Sequence, residues 1–289
     1  MTEAGRCAAR QIRGKRRHQE DDYGFLDACA LGKDPHEHSL LLVADGMGGH
    51  VGGATASGLL REIFVESYPR ASGPITDRLQ GCLQAANTAM AEAIARDPDL
   101  DSMGSTLVAA VVSSQGLHWI SVGDSPLWLF RGGALERLNA DHSMTPVLAD
   151  LVATGRMTED EAARDPGRHS LRSAVMGREI HLVDVSPGPV PVEKGDRLLL
   201  ASDGLMTLGD RQIAGILEET QDASLEHAAA DMIQAVEAAD RPHQDNVTLV
   251  LYAPAGGRES ADRGLPRLRR WARRFGRPEG RMEGESQSP

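Results

Sequence analysis

Six short apolar runs punctuate this chain, and their order constrains its fold more than any other feature. They span 39–44, 106–112, 117–122, 127–130, 197–201 and 246–252, are rich in Val, Leu and Ile, and often end at Gly or Asp. Runs of that length bounded by turn residues read as strands. Helical spacing appears between them. Leu59, Leu60, Ile63 and Phe64 predict a helix over 54–68, and Leu79, Leu83, Ala86 and Met90 predict a second over 75–95. A later pair is expected at 210–219 and 225–239, and shorter helices around Gly155 within 144–163. Helices therefore come in pairs after blocks of strands. The alternation that builds a parallel sheet is missing, so the order predicts an α+β fold, with antiparallel sheets covered by helices.

The chain has 289 residues, of which 40% are hydrophobic, enough to bury a sizeable core. The formal net charge is −11, which argues against a protein held on nucleic acid by a generally basic surface. That charge is uneven. Nine arginines against five acidic residues give 255–289 a charge of +4, leaving −15 on 1–254. The texture also changes there, so the expected organisation is one domain over 1–254 and an Arg-rich, flexible tail over 255–289. Leu268, Trp271 and Phe275 could share a helical face in that tail and touch an anionic membrane surface or an acidic partner. Cys7, Cys29 and Cys82 form no CxxC pair, which fits free thiols in a reducing compartment. The N-terminus lacks the apolar core of a signal peptide, and no run approaches the length of a membrane span. A cytoplasmic monomer is the expectation.

Aspartates stand where the apolar runs end. Asp45 closes one run and enters Asp-Gly-Met-Gly-Gly49, Asp124 and Asp203 follow two others, Asp245 precedes a fourth, and Asp21 follows Glu20. Each taken singly is an ordinary turn residue. Gathered at one edge of a core they could not all stay charged and unpaired, and divalent cations with oxygen ligands would resolve the repulsion. The glycines after Asp45 allow positive φ or close backbone approach. Neither Gly-Lys-Ser/Thr nor GxGxxG is present, which disfavours a nucleotide site.

Seven segments in order complete the picture: Arg16 with Glu20-Asp21, Asp45-Gly-Met-Gly-Gly49, Met103-Gly-Ser-Thr106, Val122-Gly-Asp-Ser125, Asp141-His-Ser143, Ser202-Asp-Gly204 and Asp245-Asn-Val-Thr248. In these the chain resembles the PP2C (PPM) family of metal-dependent serine/threonine protein phosphatases, compact bacterial type, from about Ile12 to Tyr252. The resemblance implies a four-layer α-β-β-α sandwich with two central antiparallel β-sheets and a cleft at one end. It implies two Mn²⁺ or Mg²⁺ ions bridged by Asp45, with the Gly46 carbonyl and Asp245 completing one site and Asp203 the other. Glu20 and Asp21 would lie close by, partly acting through waters, and Asp124 would help bind a weaker third metal. Arg16 would hold the phosphoryl group, with Arg17 as the alternative if the register slips by one. The segment 144–176 corresponds to a flap beside the cleft.

The implied reaction is hydrolysis of phosphoserine and phosphothreonine monoesters on proteins by a water or hydroxide held between the metals. The implied partners are phosphorylated protein substrates that a Ser/Thr kinase supplies. Two other readings remain open: a phosphatase acting on a phosphorylated antagonist in a regulatory switch, and a non-catalytic phosphoprotein-binding module. The chain departs from the animal pattern at Met47, where a histidine acts as general acid. His50 and His18 are candidates for that role, and His142 is expected to fix the junction between strand and flap. Pro126 stands where many relatives carry arginine, which removes a partner for nearby carboxylates. Ser105 and Thr106 are expected to serve backbone turns.

Overall fold

The apolar runs become the inner strands of two antiparallel sheets. The structure is a computed structural model, and the residues it describes are 6–26, 39–48 and 50–254, with His50 and Val51 described by their backbone alone. The tail 255–289, Cys29, Gly49 and the His50 imidazole, all invoked from sequence, lie outside that description. In chain order come β1 (Arg6–Ile12), β2 (Asp21–Leu26), β3 (Ser39–Met47), α1 (His50–Ser67), α2 (Ile75–Arg96), β4 (Gly104–Ser105), β5 (Leu107–Ser113), β6 (Gly116–Val122), β7 (Leu127–Arg131) and β8 (Ala134–Arg137). They are followed by α3 (Thr145–Ala153), α4 (Glu159–Arg164), β9 (Asp184–Val185), β10 (Arg197–Ala201), α5 (Asp210–Glu219), α6 (Leu225–Ala238) and β11 (Val247–Ala253). One sheet runs β1-β11-β10-β7-β8, and the other β2-β3-β5-β6-β9, with β4 paired to β3.

Alternation along the strands makes four layers. On β3, Leu40, Leu42 and Ala44 pack with Leu60 and Phe64 of α1 and Leu79 and Met90 of α2. On β10 and β11, Leu199, Ala201, Leu249 and Leu251 pack with Ile213 and Leu217 of α5 and Met232 and Val236 of α6. The intervening residues Leu41, Val43, Leu198, Leu200 and Val250 are equally buried but belong to neither helix-facing cluster. They point to the opposite faces, where β11 lies against β2 and β3. A strand covered on both faces has no polar side to present. That is why these strands read in sequence as unbroken apolar runs.

The two α+β helix pairs and the inner strands fall where the sequence places them; β10 spans 197–201 and α5 spans 210–219. Two strands at the sheet edges have no counterpart among the six runs. β1 (RCAARQI) and β8 (ALER) each terminate a sheet. An edge strand needs less apolar side chain than a central one, so these segments give little signal.

Register brings the ends of six strands to one place. Asp21 at the start of β2 pairs with Asp45 near the end of β3, and Val108 early in β5 pairs with Val43. The end of β6 meets the start of β5 through Val122 and Leu107. In the other sheet the end of β10 meets the start of β11 through Ala201 and Leu249. An antiparallel order therefore delivers Asp21, Asp45, Asp124, Asp203 and Asp245 to a single end of the sandwich.

Candidate active site

The floor of the site is a set of mutually repelling carboxylates. Asp45 is held well above the usual carboxylate range, by burial first and then by Asp21, Asp203, Asp245 and Asp124. Burial pushes Asp21 up to about 6 although hydrogen bonds from Ser202 and Thr248 favour its charge, and Asp203 and Asp245 raise it further. Asp124 is pushed up to about 7 by burial, with Asp203 and Asp141 adding and Arg137 opposing. Asp203 is also raised, by burial and by Asp245; His169, Arg16 and a hydrogen bond shared with Asp45 work the other way. These causes are what like charges desolvated together produce.

The backbone around the floor is fixed from several sides. The Asp45 amide donates to Thr106 Oγ1 at 3.1 Å, and its carbonyl accepts from the Thr106 amide at 2.9 Å and from Ser105 Oγ at 3.0 Å. Thr106 Oγ1 in turn meets Ser125 Oγ at 2.7 Å. Ser105 and Thr106 thus hold the strand end that carries Asp45. Ser202 Oγ donates to Asp21 Oδ2 at 2.7 Å across the two sheets. The glycines of the two Asp-Gly pairs have a definite cause. A Cβ at Gly46 would stand 2.1 Å from the Gly53 carbonyl oxygen, and one at Gly204 would stand 1.9 Å from that of Asn246. Neither glycine has positive φ. They are required by close backbone approach and not by turn conformation.

Asn246 is the residue whose role sequence could not reveal. It is buried, and its amide nitrogen donates to the carbonyls of Arg13 at 2.8 Å and His18 at 3.0 Å. Its Oδ1 accepts from the Glu20 amide at 2.8 Å. One side chain therefore clamps the loop between β1 and β2 that carries Arg16 and Glu20 and leads into Asp21 at the start of β2. Arg16 on that loop meets Asp245 Oδ2 at 2.5 Å. Arg17 borders the same cleft, but Arg16 is the one paired with the floor.

Arg137 stands beside Asp124. From β8 it donates to the Asp124 carbonyl at 2.7 Å and approaches Asp141 at 3.4 Å, so a cation stands beside Asp124 without an arginine at 126. His142 joins the strand end to the flap: its Nδ1 accepts from the Gly123 amide at 3.2 Å, and its carbonyl accepts from the Arg172 amide at 2.8 Å. Bridges Ser143↔Leu171 and Ser105↔Val175 then close the base of the segment containing α3 and α4.

Floor and flap base enclose a cleft of about 1020 Å³, bordered by Arg16, Glu20, Asp45, Gly46, Asp124, Asp203 and Asp245 on one side and by residues 169–181 on the other. Seven of the eight residues nominated from sequence border it; the eighth, Asp21, is buried behind the floor, where Ser202 donates to it. Met47 and His18 also border the cleft. Among the described residues no three His, Cys, Asp or Glu side chains stand arranged to enclose an ion as they are. Several floor carboxylates have partners within the protein: Asp21 is bonded to Ser202, Asp203 to Asp45, and Asp245 to Arg16. The chemistry of the donor set nevertheless fits hard divalent ions. It consists of carboxylate and carbonyl oxygens without thiolate, it carries excess negative charge, and Mg²⁺ and Mn²⁺ sites complete their shells with water.

Two antiparallel sheets between helix layers, with carboxylates gathered at one end, define the architecture that the sequence resemblance implies. The chain belongs to the protein phosphatase 2C family, whose profile matches residues 14–247. It is 32% identical over 248 residues to the serine/threonine protein phosphatase PstP of Mycobacterium tuberculosis, a match covering 85% of this chain and 44% of that protein. The chain thus spans under half the length of that relative. It is 31% identical to the serine/threonine phosphatase stp of Listeria monocytogenes, over 69% of this chain and 77% of that one. Among solved structures, the catalytic domain of PstP in complex with two manganese ions matches with a TM-score of 0.68 at 30% identity, over 87% of this chain and 98% of that one.

Proposed function

We propose that this chain hydrolyses phosphoserine and phosphothreonine monoesters on proteins, with residues 1–254 as the catalytic domain and 144–176 as a flap beside its cleft. The observation that carries the reading is the convergence of Asp21, Asp45, Asp203 and Asp245 beside the guanidinium of Arg16, with Asp21, Asp45 and Asp203 raised by burial and by neighbouring carboxylates. The relatives are named as serine/threonine phosphatases, and one solved relative holds two manganese ions.

In this reading Asp45, Asp203, Asp245 and the Gly46 carbonyl hold two Mn²⁺ or Mg²⁺ ions, Glu20 and Asp21 support them in part through water, and Asp124 serves a weaker third ion. When bound, the ions supply Lewis acidity for an in-line displacement at phosphorus and charge to offset that of the floor. Arg16 leaves Asp245 and turns its planar fork to two phosphoryl oxygens, stabilising the charge that grows on them. The Asn246 clamp keeps Arg16 within reach, so part of the alignment is present before substrate arrives. Met47 cannot donate a proton, so the leaving seryl or threonyl oxygen takes one from water or from a cleft-lining imidazole such as His18. No helix among the described residues is long and apolar enough to cross a membrane. A kinase that phosphorylates the same proteins in the cytoplasm is the partner this reading calls for.

The test is Mn²⁺-dependent release of phosphate from a phosphothreonine peptide by wild type, Asp45→Asn and Asp203→Asn. Loss of turnover in both variants supports the assignment, and wild-type turnover in both contradicts it.

A further inference from the structure

Across the cleft from the acidic floor stands a wall built on a doubly tethered ribbon. Ser173 is buried, and its Oγ donates to the Leu182 carbonyl at 2.9 Å while accepting from the Leu182 amide at 3.0 Å. Those two bonds tie together the segments that carry Arg172 and His181. The ribbon is anchored further by the Arg172 amide on the His142 carbonyl, the Ser105↔Val175 bridge, and Asn87, which accepts from the Gly177 amide at 2.9 Å and donates to the Arg178 carbonyl at 2.7 Å. The wall is thus part of the scaffold, unlike the α3–α4 excursion that precedes it.

Arg172 and His181 are both exposed and both border the cleft. Among the described residues, neither side chain has a hydrogen-bond or ion-pair partner. Their neighbour Arg178 is engaged by Asp101 at 3.2 Å, and Glu179 borders the cleft beside them. The unpaired guanidinium of the wall is therefore that of Arg172, and the His181 imidazole borders the cleft with it. A guanidinium held on a fixed backbone and left unpaired is a recognition element for a carboxylate. It stands in a body of formal charge −15, whose general field would repel an acidic peptide.

We propose that Arg172, with His181, forms a second anion subsite that takes an Asp or Glu side chain flanking the phosphorylated residue of the substrate. This rests on the phosphatase reading above and adds to it a substrate class: phosphoproteins with an acidic residue near the phosphosite. Arg172 acts on the flank of the substrate and makes no contact with the reacting atoms, so small phosphate esters do not use it.

The experiment compares wild type with Arg172→Gln on a phosphothreonine peptide with neutral flanks, on a set carrying one Asp at each position from three before to three after the phosphothreonine, and on p-nitrophenyl phosphate. The expected result is that wild type prefers at least one Asp placement by about three- to fivefold in kcat/KM, the scale of a partly exposed ion pair. Arg172→Gln removes that preference and leaves turnover of the neutral peptide and of p-nitrophenyl phosphate unchanged. The proposal is overturned if no Asp placement is preferred, if the preference survives in Arg172→Gln, or if p-nitrophenyl phosphate turnover falls as far as that of the acidic peptide. A binding arm separates this idea from the phosphatase reading. Fluorescence anisotropy with the same peptides built on a non-hydrolysable phosphonate analogue needs no turnover. Weaker binding of the acidic peptide by Arg172→Gln supports the subsite even if no phosphate is released in any assay, and equal binding by both proteins contradicts it.

Discussion

Asp21 and Asp45 are direct partners across the β2–β3 ladder, so their side chains leave the same face of one sheet at the same end. Like charges in directly opposed positions destabilise a sheet, and here Asp203 and Asp245 add to the repulsion from the neighbouring sheet. The fold holds together a cluster that opposes its own folding until something neutralises it. Removing one charge should therefore stabilise the metal-free protein. Asp45→Asn, whose amide can still donate to Asp203, is expected to raise the apo melting temperature at pH 7.5 by about 2–4 °C, the shift that ~1 kcal/mol gives a chain of this size. Differential scanning fluorimetry in EDTA checks it. A fall in melting temperature would show that repulsion is not the dominant effect at this floor.

The position of Arg16 depends on Asn246. That side chain bonds to three backbone groups of the Arg16 loop and to nothing that reacts. Asn246→Ala is expected to lower kcat/KM about tenfold or more through loss of alignment, and Arg16→Ala to do at least as much. The two effects should not add, because both remove the same guanidinium contact. Steady-state kinetics of the two single variants and the double variant measure this. Additive losses would mean that Asn246 acts on something other than Arg16.

Burial also sets the acid sensitivity of the scaffold. His118 lies within β6 facing Ser186, with its Nδ1 3.4 Å from Ser186 Oγ, and burial lowers its pKa below the ordinary 6.5. The unfolded chain then takes up a proton near pH 6.5 that the folded chain refuses until lower pH. Stability is fully present above 6.5 and is lost as pH falls through the depressed value. His142 is shifted the same way, chiefly by burial. In His118→Asn the decline in melting temperature between pH 7 and pH 5 should be shallower than in wild type, with Mn²⁺ present in both so that the floor carboxylates contribute equally. An unchanged slope would contradict it.

Much of this architecture could be read from the chain because its inner strands are covered on both faces. Runs such as Arg197–Ala201 then carry an undiluted apolar signal, and an aspartate after them marks where a sheet ends. β1 and β8 gave no such signal, since an edge strand with Arg and Gln or Glu along it looks like any polar segment. In the site, the acidic residues were legible because each stands beside an apolar run. What Asn246, Ser202 and Arg137 do was not legible. Asn246 reaches back across more than 220 residues to the Arg16 loop, Ser202 bonds to Asp21 of the other sheet, and Arg137 donates to the Asp124 carbonyl. Those relations exist only once strand register has brought distant backbone together. The reason for Gly46 and Gly204 is of the same kind, because the oxygens that exclude a Cβ belong to Gly53 and Asn246.

The central claim is that the carboxylates around Asp45 form a divalent-metal centre, and calorimetric titration of the metal-free protein with Mn²⁺ addresses it most directly. Wild type should bind two ions per chain, and that binding should be lost in Asp45→Asn. Wild-type stoichiometry and affinity in Asp45→Asn would contradict it.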